Sequence, residues 1–215
     1  LASSLKAATE AGVPFITINS GAEETKAMGA LEHIGQTETV AGQGAGQRLA
    51  EGGAKKLLCI VHEAGNIGLE QRCDGAAEAF GGSFEKLQVD LANPQGIEAT
   101  VKSKLLGDNS FDAVLSLNPT VTTATLAGME AAGSTAELAS FDIDTDVLQA
   151  IKDDKVAFTV DQQQYVEGYL AIVFLVLNHD NLNTVGGGLP VLTGPAFVTA
   201  DNVDEIVKLV ENGTR

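Results

Sequence analysis

The chain has 215 residues, 44% of them hydrophobic, enough to bury a full core in one large domain or two small ones. Thirteen Lys and Arg stand against 29 Asp and Glu, and the net charge of −16 repels phosphate backbones and anionic lipid, which excludes nucleic acid and membrane surfaces as partners. The longest apolar stretch, residues 170–177 (LAIVFLVL), falls far short of the roughly 20 residues needed to cross a bilayer and reads as one buried helix.

Taken in chain order, short runs rich in Val, Ile, Leu and Phe alternate with amphipathic or Ala-rich segments. A helix is expected over 1–11, a strand over 14–19, a helix over 39–52, a strand over 56–62 and a helix over 68–80. The pattern continues with a strand over 84–89, a helix over 94–106, a strand over 113–117, a helix over 120–132, a strand over 137–141, a helix over 145–153, a strand over 157–160 and a helix over 163–178. This is βα repetition with short connections, the doubly wound pattern of an α/β protein built on parallel sheets. Gly42-Gln43-Gly44-Ala45-Gly46 superficially suggests a dinucleotide loop, but the GxGxxG spacing and the acidic ribose ligand are not cleanly present. Small residues at helical spacing instead let this helix pack closely on a sheet or on its neighbour. Gly186-Gly187-Gly188 reads as a flexible turn before Leu189-Pro190.

Cys59 and Cys73 are too few for a disulfide scaffold, and no clustered His or Cys forms a zinc pattern, so neither a metal site nor a cofactor is expected. The two thiols are compatible with one disulfide in an oxidising compartment or with two buried free cysteines. The chain opens at Leu1 without an initiator Met or an apolar signal core, and localisation is not read from its start.

In doubly wound sheets ligands gather beyond the carboxyl ends of the strands, and those positions are polar here: Asn19 and Ser20, then His62, Glu63 and Asn66, then Asn118, Asp142, and Asp161 with Gln162. Helix caps and turns account for part of this set, because Asn, Asp and Ser favour both. Gln162 and Arg72 are not preferred caps. Side chains that supply donors and acceptors together bind the adjacent hydroxyls of a neutral polyol, so the constellation suits a sugar better than an anion. No GxxxxGK[ST] loop or GxSxG elbow occurs, and His33, His62 and His179 lie far apart without a partnered nucleophile. Glu63 beside His62 lacks a second carboxylate at a defined spacing, so binding or plain solvation is preferred to general-base chemistry, and no enzyme is expected.

Seven segments in order carry a family resemblance: GVPFITINSG (12–21), LEHIGQTETVAGQGAG (31–46), HEAGNIGLEQRCDG (62–75), LSLNPTVTTATLAGMEAAG (115–133), SFDIDTDVLQAI (140–151), FTVDQQQYVEGYLAI (158–172) and TGPAFVTADNV (193–203). The chain resembles, along its whole length, the periplasmic sugar-binding proteins of ABC transporters, type I and ribose-binding-protein-like, which share their fold with the LacI-like repressor core. The resemblance implies two Rossmann-like lobes with parallel sheets. It implies a partial N-terminal lobe from residues 1–36 and 163–193, and a C-terminal lobe from 37–162 and 194–215. Hinge strands would cross near Gln36, Gln162 and Thr193. The first lobe would be incomplete, since the family normally places roughly three further βα units ahead of such a segment, and a fragment of this kind would bind ligand weakly or not at all.

Carried over residue by residue, the resemblance makes Arg72 a cleft arginine, Asn118 an asparagine after a strand, Asp142 a carboxylate that clasps sugar hydroxyls and Gln162 a glutamine at a lobe crossover. Asn19 takes the place of a usual aspartate and Ser20 of a usual arginine, so the hydroxyl pattern recognised should differ from that of ribose. Gln36 falls near a first-crossover position, and Glu63 and Asn66 in the equivalent loop of the second lobe. The implied function is a monomeric receptor that captures a monosaccharide or polyol by hinge closure and delivers it to the membrane permease of an ABC importer. It would work in the periplasm, or as an anchored lipoprotein in a Gram-positive host. The alternative is the ligand-sensing core of a LacI-type transcription regulator, against which the acidic surface counts.

Overall fold

The computed structural model describes residues 2–215. In chain order its elements are α1 (Ala2–Glu10), β1 (Thr17–Asn19), α2 (Thr25–Met28), β2 (His33–Gly35), α3 (Glu38–Glu51), β3 (Lys56–Val61), α4 (Ile67–Phe80), β4 (Ser83–Gln88) and α5 (Pro94–Gly107). There follow β5 (Ala113–Ser116), α6 (Pro119–Ala132), β6 (Glu137–Phe141), α7 (Thr145–Lys152), β7 (Phe158–Asp161), α8 (Gln164–Asn181), a 3-10 turn at Gly186–Gly188, β8 (Val191–Leu192), β9 (Ala196–Thr199) and α9 (Val203–Glu211). The chain divides into two units, one made of the residues up to Thr37 with Gln162–Ala196 and Arg215, the other of Glu38–Asp161 with Phe197–Thr214.

The larger unit is a six-stranded sheet in the order β4-β3-β5-β6-β7-β9. Its paired strands β4 with β3, β3 with β5, β5 with β6 and β6 with β7 run parallel. The apolar runs are continuous because successive residues serve opposite faces, each covered by helices. Leu58, Ile60, Val114 and Leu138 pack with Ile97, Val101, Val121, Ile151 and Ile206, whereas Leu57, Cys59, Val61, Leu115 and Phe141 pack with Ala41, Ala45, Leu49 and Cys73. Helix starts are set by side chains that accept from exposed backbone N–H groups: Asn66 from Leu69, Asn93 from Gly96, Asn118 from Thr120 and Val121, and Asp144 from Val147.

The glycine-rich stretch of α3 is a packing surface, as its spacing implies. A Cβ on Gly42 would stand 2.1 Å from the carbonyl oxygen of Arg72, one on Gly46 2.1 Å from that of Ala76, and one on Gly75 of α4 2.2 Å from that of Thr39. Only glycine lets the two helix backbones approach so closely. Cys59 and Cys73 form a disulfide with their Cα atoms 5.9 Å apart, which fastens α4 to β3 and resolves the alternative left open by the sequence.

The smaller unit has a three-stranded sheet, β1-β2-β8, parallel throughout. Several expectations need correction here and at the chain end. The strand expected over 14–19 pairs only from Thr17, three residues beyond a proline that has no N–H to give to a ladder. The sequence reading passes over α2, β2, β8, β9 and α9, of which the strands are too short, at two to four residues, to show a period. The stretch 170–177 is helical but not buried, with Ile172 64% and Val176 52% exposed, because three strands of two or three residues can cover only a narrow stripe of α8. Gly186–Gly188 is a shaped turn, with φ of 74°, 60° and 87°, closed so tightly on Glu32 that a Cβ on Gly186 would meet its Oε2 at 1.9 Å.

Candidate functional site

In the larger unit the polar groups beyond β3 and β6 converge with the first turn of α3. Arg72, one helical turn into α4, is 5% exposed, and its Nε donates to Glu38 Oε2 at 2.5 Å while Nη2 donates to Glu38 Oε1 at 3.0 Å. The guanidinium lies over the Phe141 ring, 4.7 Å from its centroid. The close approach of α3 and α4 makes this pairing possible, since Gly42 packs on the backbone of Arg72 itself.

Asp142 follows Phe141 in the left-handed region, φ 66°, its N–H held by the Val160 carbonyl at 2.7 Å and its own carbonyl by Thr159 Oγ1 at 2.6 Å. Both bonds fix the direction in which the chain leaves β6 and so where the carboxylate sits. Below them the buried hydroxyls of Thr122 and Ser140 meet at 2.6 Å, and Ser140 also donates to the Phe141 carbonyl. His62 follows β3 directly and is buried, with no hydrogen-bond partner for Nδ1 among the described residues. Burial foremost, and then the charge of Arg72, hold its pKa below the ordinary 6.5 against the opposing influence of Glu63 and Asp142. The imidazole is therefore neutral at pH 7.

Other expected contacts are engaged locally. Asn118 Oδ1 caps α6, receiving Thr120 N at 2.9 Å and Val121 N at 3.4 Å, which leaves Nδ2 as its remaining donor. Asn66 caps α4 and donates Nδ2 to Glu63 Oε2 at 2.9 Å, so these two satisfy each other at the surface.

The smaller unit gathers Asn19, Gln36 and Gln162. Asn19 ends β1 with φ 69°, beside Gly35 in the register and thus next to Gln36, which is 2% exposed. Asn19 Nδ2 donates to Oε1 of the buried Gln162 at 3.4 Å. Thr193 and Glu167 join this set, with Thr193 Oγ1 donating to Glu167 Oε1 at 3.3 Å and Gln163 Nε2 to the Thr193 carbonyl. The sequence reading does not single out Glu38 or Glu167. An acid in the first turn of a helix is ordinary complement to its dipole, and nothing local announces a partner 34 residues on. Among the described residues no cluster of His, Cys, Asp or Glu is arranged to hold a metal ion, and no helix is long and apolar enough to cross a membrane.

Parallel sheets flanked by helices, with amides and charged groups collected at the carboxyl ends of their strands, define a type I periplasmic binding protein architecture. The chain belongs to the periplasmic binding protein domain family, whose model matches residues 1–178. A carbohydrate transporter from Acidothermus cellulolyticus 11B, crystallised in complex with myo-inositol, is 40% identical with a TM-score of 0.96, over 100% of this chain and 75% of that one. The periplasmic ribose ABC transporter from Conexibacter woesei DSM 14684 shares the fold, with a TM-score of 0.86 at 18% identity over 100% of this chain and 74% of that one. The ribose import binding protein of Haemophilus influenzae is 24% identical over 168 residues, 75% of this chain. This chain spans 56% of the length of that curated relative.

Proposed function

We propose that this protein is a solute receptor that binds a monosaccharide or polyol outside the cytoplasm and delivers it to the permease of an ABC importer. The observation that carries the reading is the Arg72 cluster. A buried guanidinium is held rigid on an aromatic face beside Asp142 and a neutral His62, presenting donors and acceptors at fixed positions with no activated nucleophile among them. Such a cluster reads hydroxyl patterns and does not perform group transfer. The candidate ligand contacts are Arg72, Asp142 and Asn118 in the larger unit and Asn19, Gln36 and Gln162 in the smaller, with Glu63 and Asn66 as weaker candidates. The myo-inositol held by the 40% identical relative supports a cyclic polyol as the first candidate. The Cys59–Cys73 disulfide supports an oxidising, extracytoplasmic setting.

The test is a thermal-shift screen of the intact protein against pentoses, hexoses and cyclitols, followed by calorimetry. A ligand at 100 times its Kd stabilises the native state by about 2.7 kcal/mol, a rise of roughly 5–10 °C for a protein of this size. A shift of that order with a neutral polyol, cut by about half or more in Asp142→Ala, is the expected result. The absence of a shift with every neutral sugar and cyclitol tested would overturn the reading.

A further inference from the structure

We infer that Glu38 is the residue that sets the charge class of the ligand: by neutralising Arg72 and occupying two of its donors, it restricts the site to uncharged polyhydroxyl compounds and excludes sugar acids and sugar phosphates. The inference rests on the sugar-binding reading above and deepens it. An arginine at the end of a sheet is by itself an anion receptor, because its planar fork matches carboxylate and phosphate bidentately. Here the fork is already filled. Glu38 takes Nε and one Nη2 proton at 2.5 and 3.0 Å, in a pair whose side chains are 6% and 5% exposed, so water screens it little. What remains of Arg72 is Nη1 and one Nη2 proton, donors whose charge Glu38 already compensates and which suit a hydroxyl or ring oxygen.

The surroundings push the same way. The charged groups that act on His62 are Arg72 on one side and Glu63 and Asp142 on the other, and His62 itself stays neutral. Glu38 offsets the charge of Arg72 at hydrogen-bond distance, so an incoming carboxylate or phosphate meets a cation already compensated, while a neutral polyol loses nothing by that compensation. The position of Glu38 is fixed by the backbone, since α3 and α4 touch at Gly42, Gly46 and Gly75 and hold the carboxylate and the guanidinium in register.

The experiment compares matched neutral and anionic probes, myo-inositol with myo-inositol 1-phosphate and D-glucose with D-glucuronate, by calorimetry on the intact protein as wild type, Glu38→Gln and Glu38→Asp. Wild type should prefer the neutral member of a pair by at least about 100-fold. Glu38→Gln should narrow that gap by about tenfold or more, chiefly by gaining the anion, and Glu38→Asp, which keeps the charge, should retain the wild-type preference. Equal losses for both members in Glu38→Gln would show a merely structural role and overturn the inference while leaving the sugar reading intact. Binding of neither member by wild type would sink both. Should Glu38→Gln fail to melt cooperatively, the salt dependence of wild type decides: repulsion predicts that anion affinity rises with ionic strength while neutral affinity does not, and a flat response refutes it.

Discussion

Replacing Gly46 by Ala adds one methyl group to the surface where α3 meets α4. That methyl carbon would stand 2.1 Å from the Ala76 carbonyl oxygen, where ordinary contact begins at 3.4 Å, and the obstacle is backbone that no rotamer change can move. The helices must separate by roughly 1 Å, and a gap of that size forfeits a quarter to a half of each dispersion contact along Ala41, Ala45, Leu49, Leu69, Cys73 and Ala76. Overpacking of this kind costs about 3 kcal/mol at the upper end of its usual range, and alanine in a helix interior returns about 1 kcal/mol over glycine. The expected net loss is about 2 kcal/mol, or roughly 4–8 °C in Tm for a protein of this size. Urea denaturation should show a lower midpoint at unchanged slope. Gly107→Ala is the control in the same unit, at the end of α5 where an added Cβ meets nothing within 4 Å, and it should be neutral or stabilising by up to about 1 kcal/mol. If Gly46→Ala proves as stable as Gly107→Ala, the close-packing account of the glycine stretch is wrong.

Removing both cysteines as Cys59→Ser with Cys73→Ser frees a loop of 14 residues' separation and should lower stability by about 3 kcal/mol, checked by denaturation with and without reductant; a loss below about 1 kcal/mol would refute it. His62 and His33 are both held below the ordinary 6.5 by burial, so the unfolded chain binds more protons than the native one just beneath that pH. Stability should therefore be fully present above pH 6.5 and decline as pH falls through it, and a His62→Gln variant should show a shallower decline by urea midpoint against pH; an unchanged slope contradicts the assignment. Asp142→Ala should weaken polyol binding about 10- to 100-fold, the worth of a hydrogen bond to a charged group, without shifting the apo Tm by more than a few degrees. Equal affinity in the variant and the wild type would remove Asp142 from the site.

Much of this protein is decided by local pattern. The run 57–61 is apolar on both faces, so it can only be a covered parallel strand, and the class α/β follows from its alternation with helical segments. Asn66, Asn118 and Asp144 fix helix starts within a residue, and Gly81 and Gly133 fix helix ends through φ of 66°. The polar strand ends that make up most of the candidate site are legible for the same reason, since they interrupt apolar runs. The helix Val203–Glu211 is also written in the sequence, with Val203, Ile206, Val207 and Val210 at helical spacing.

Other features depend on distance in space rather than along the chain. Nothing near Glu38 distinguishes it from an acid that complements a helix dipole, and only the approach of α3 to α4 brings it onto Arg72. The pairing of Cys59 with Cys73 needed the height of α4 above β3, and the position of β9 at the sheet edge beyond β7 needed the whole sheet order. Even the exposure of Ile172 and Val176 contradicts their composition, because burial is set by what a neighbouring element covers and not by how apolar a residue is. Periodicity records which way a side chain points from its own backbone; which partner it meets there is a property of tertiary packing.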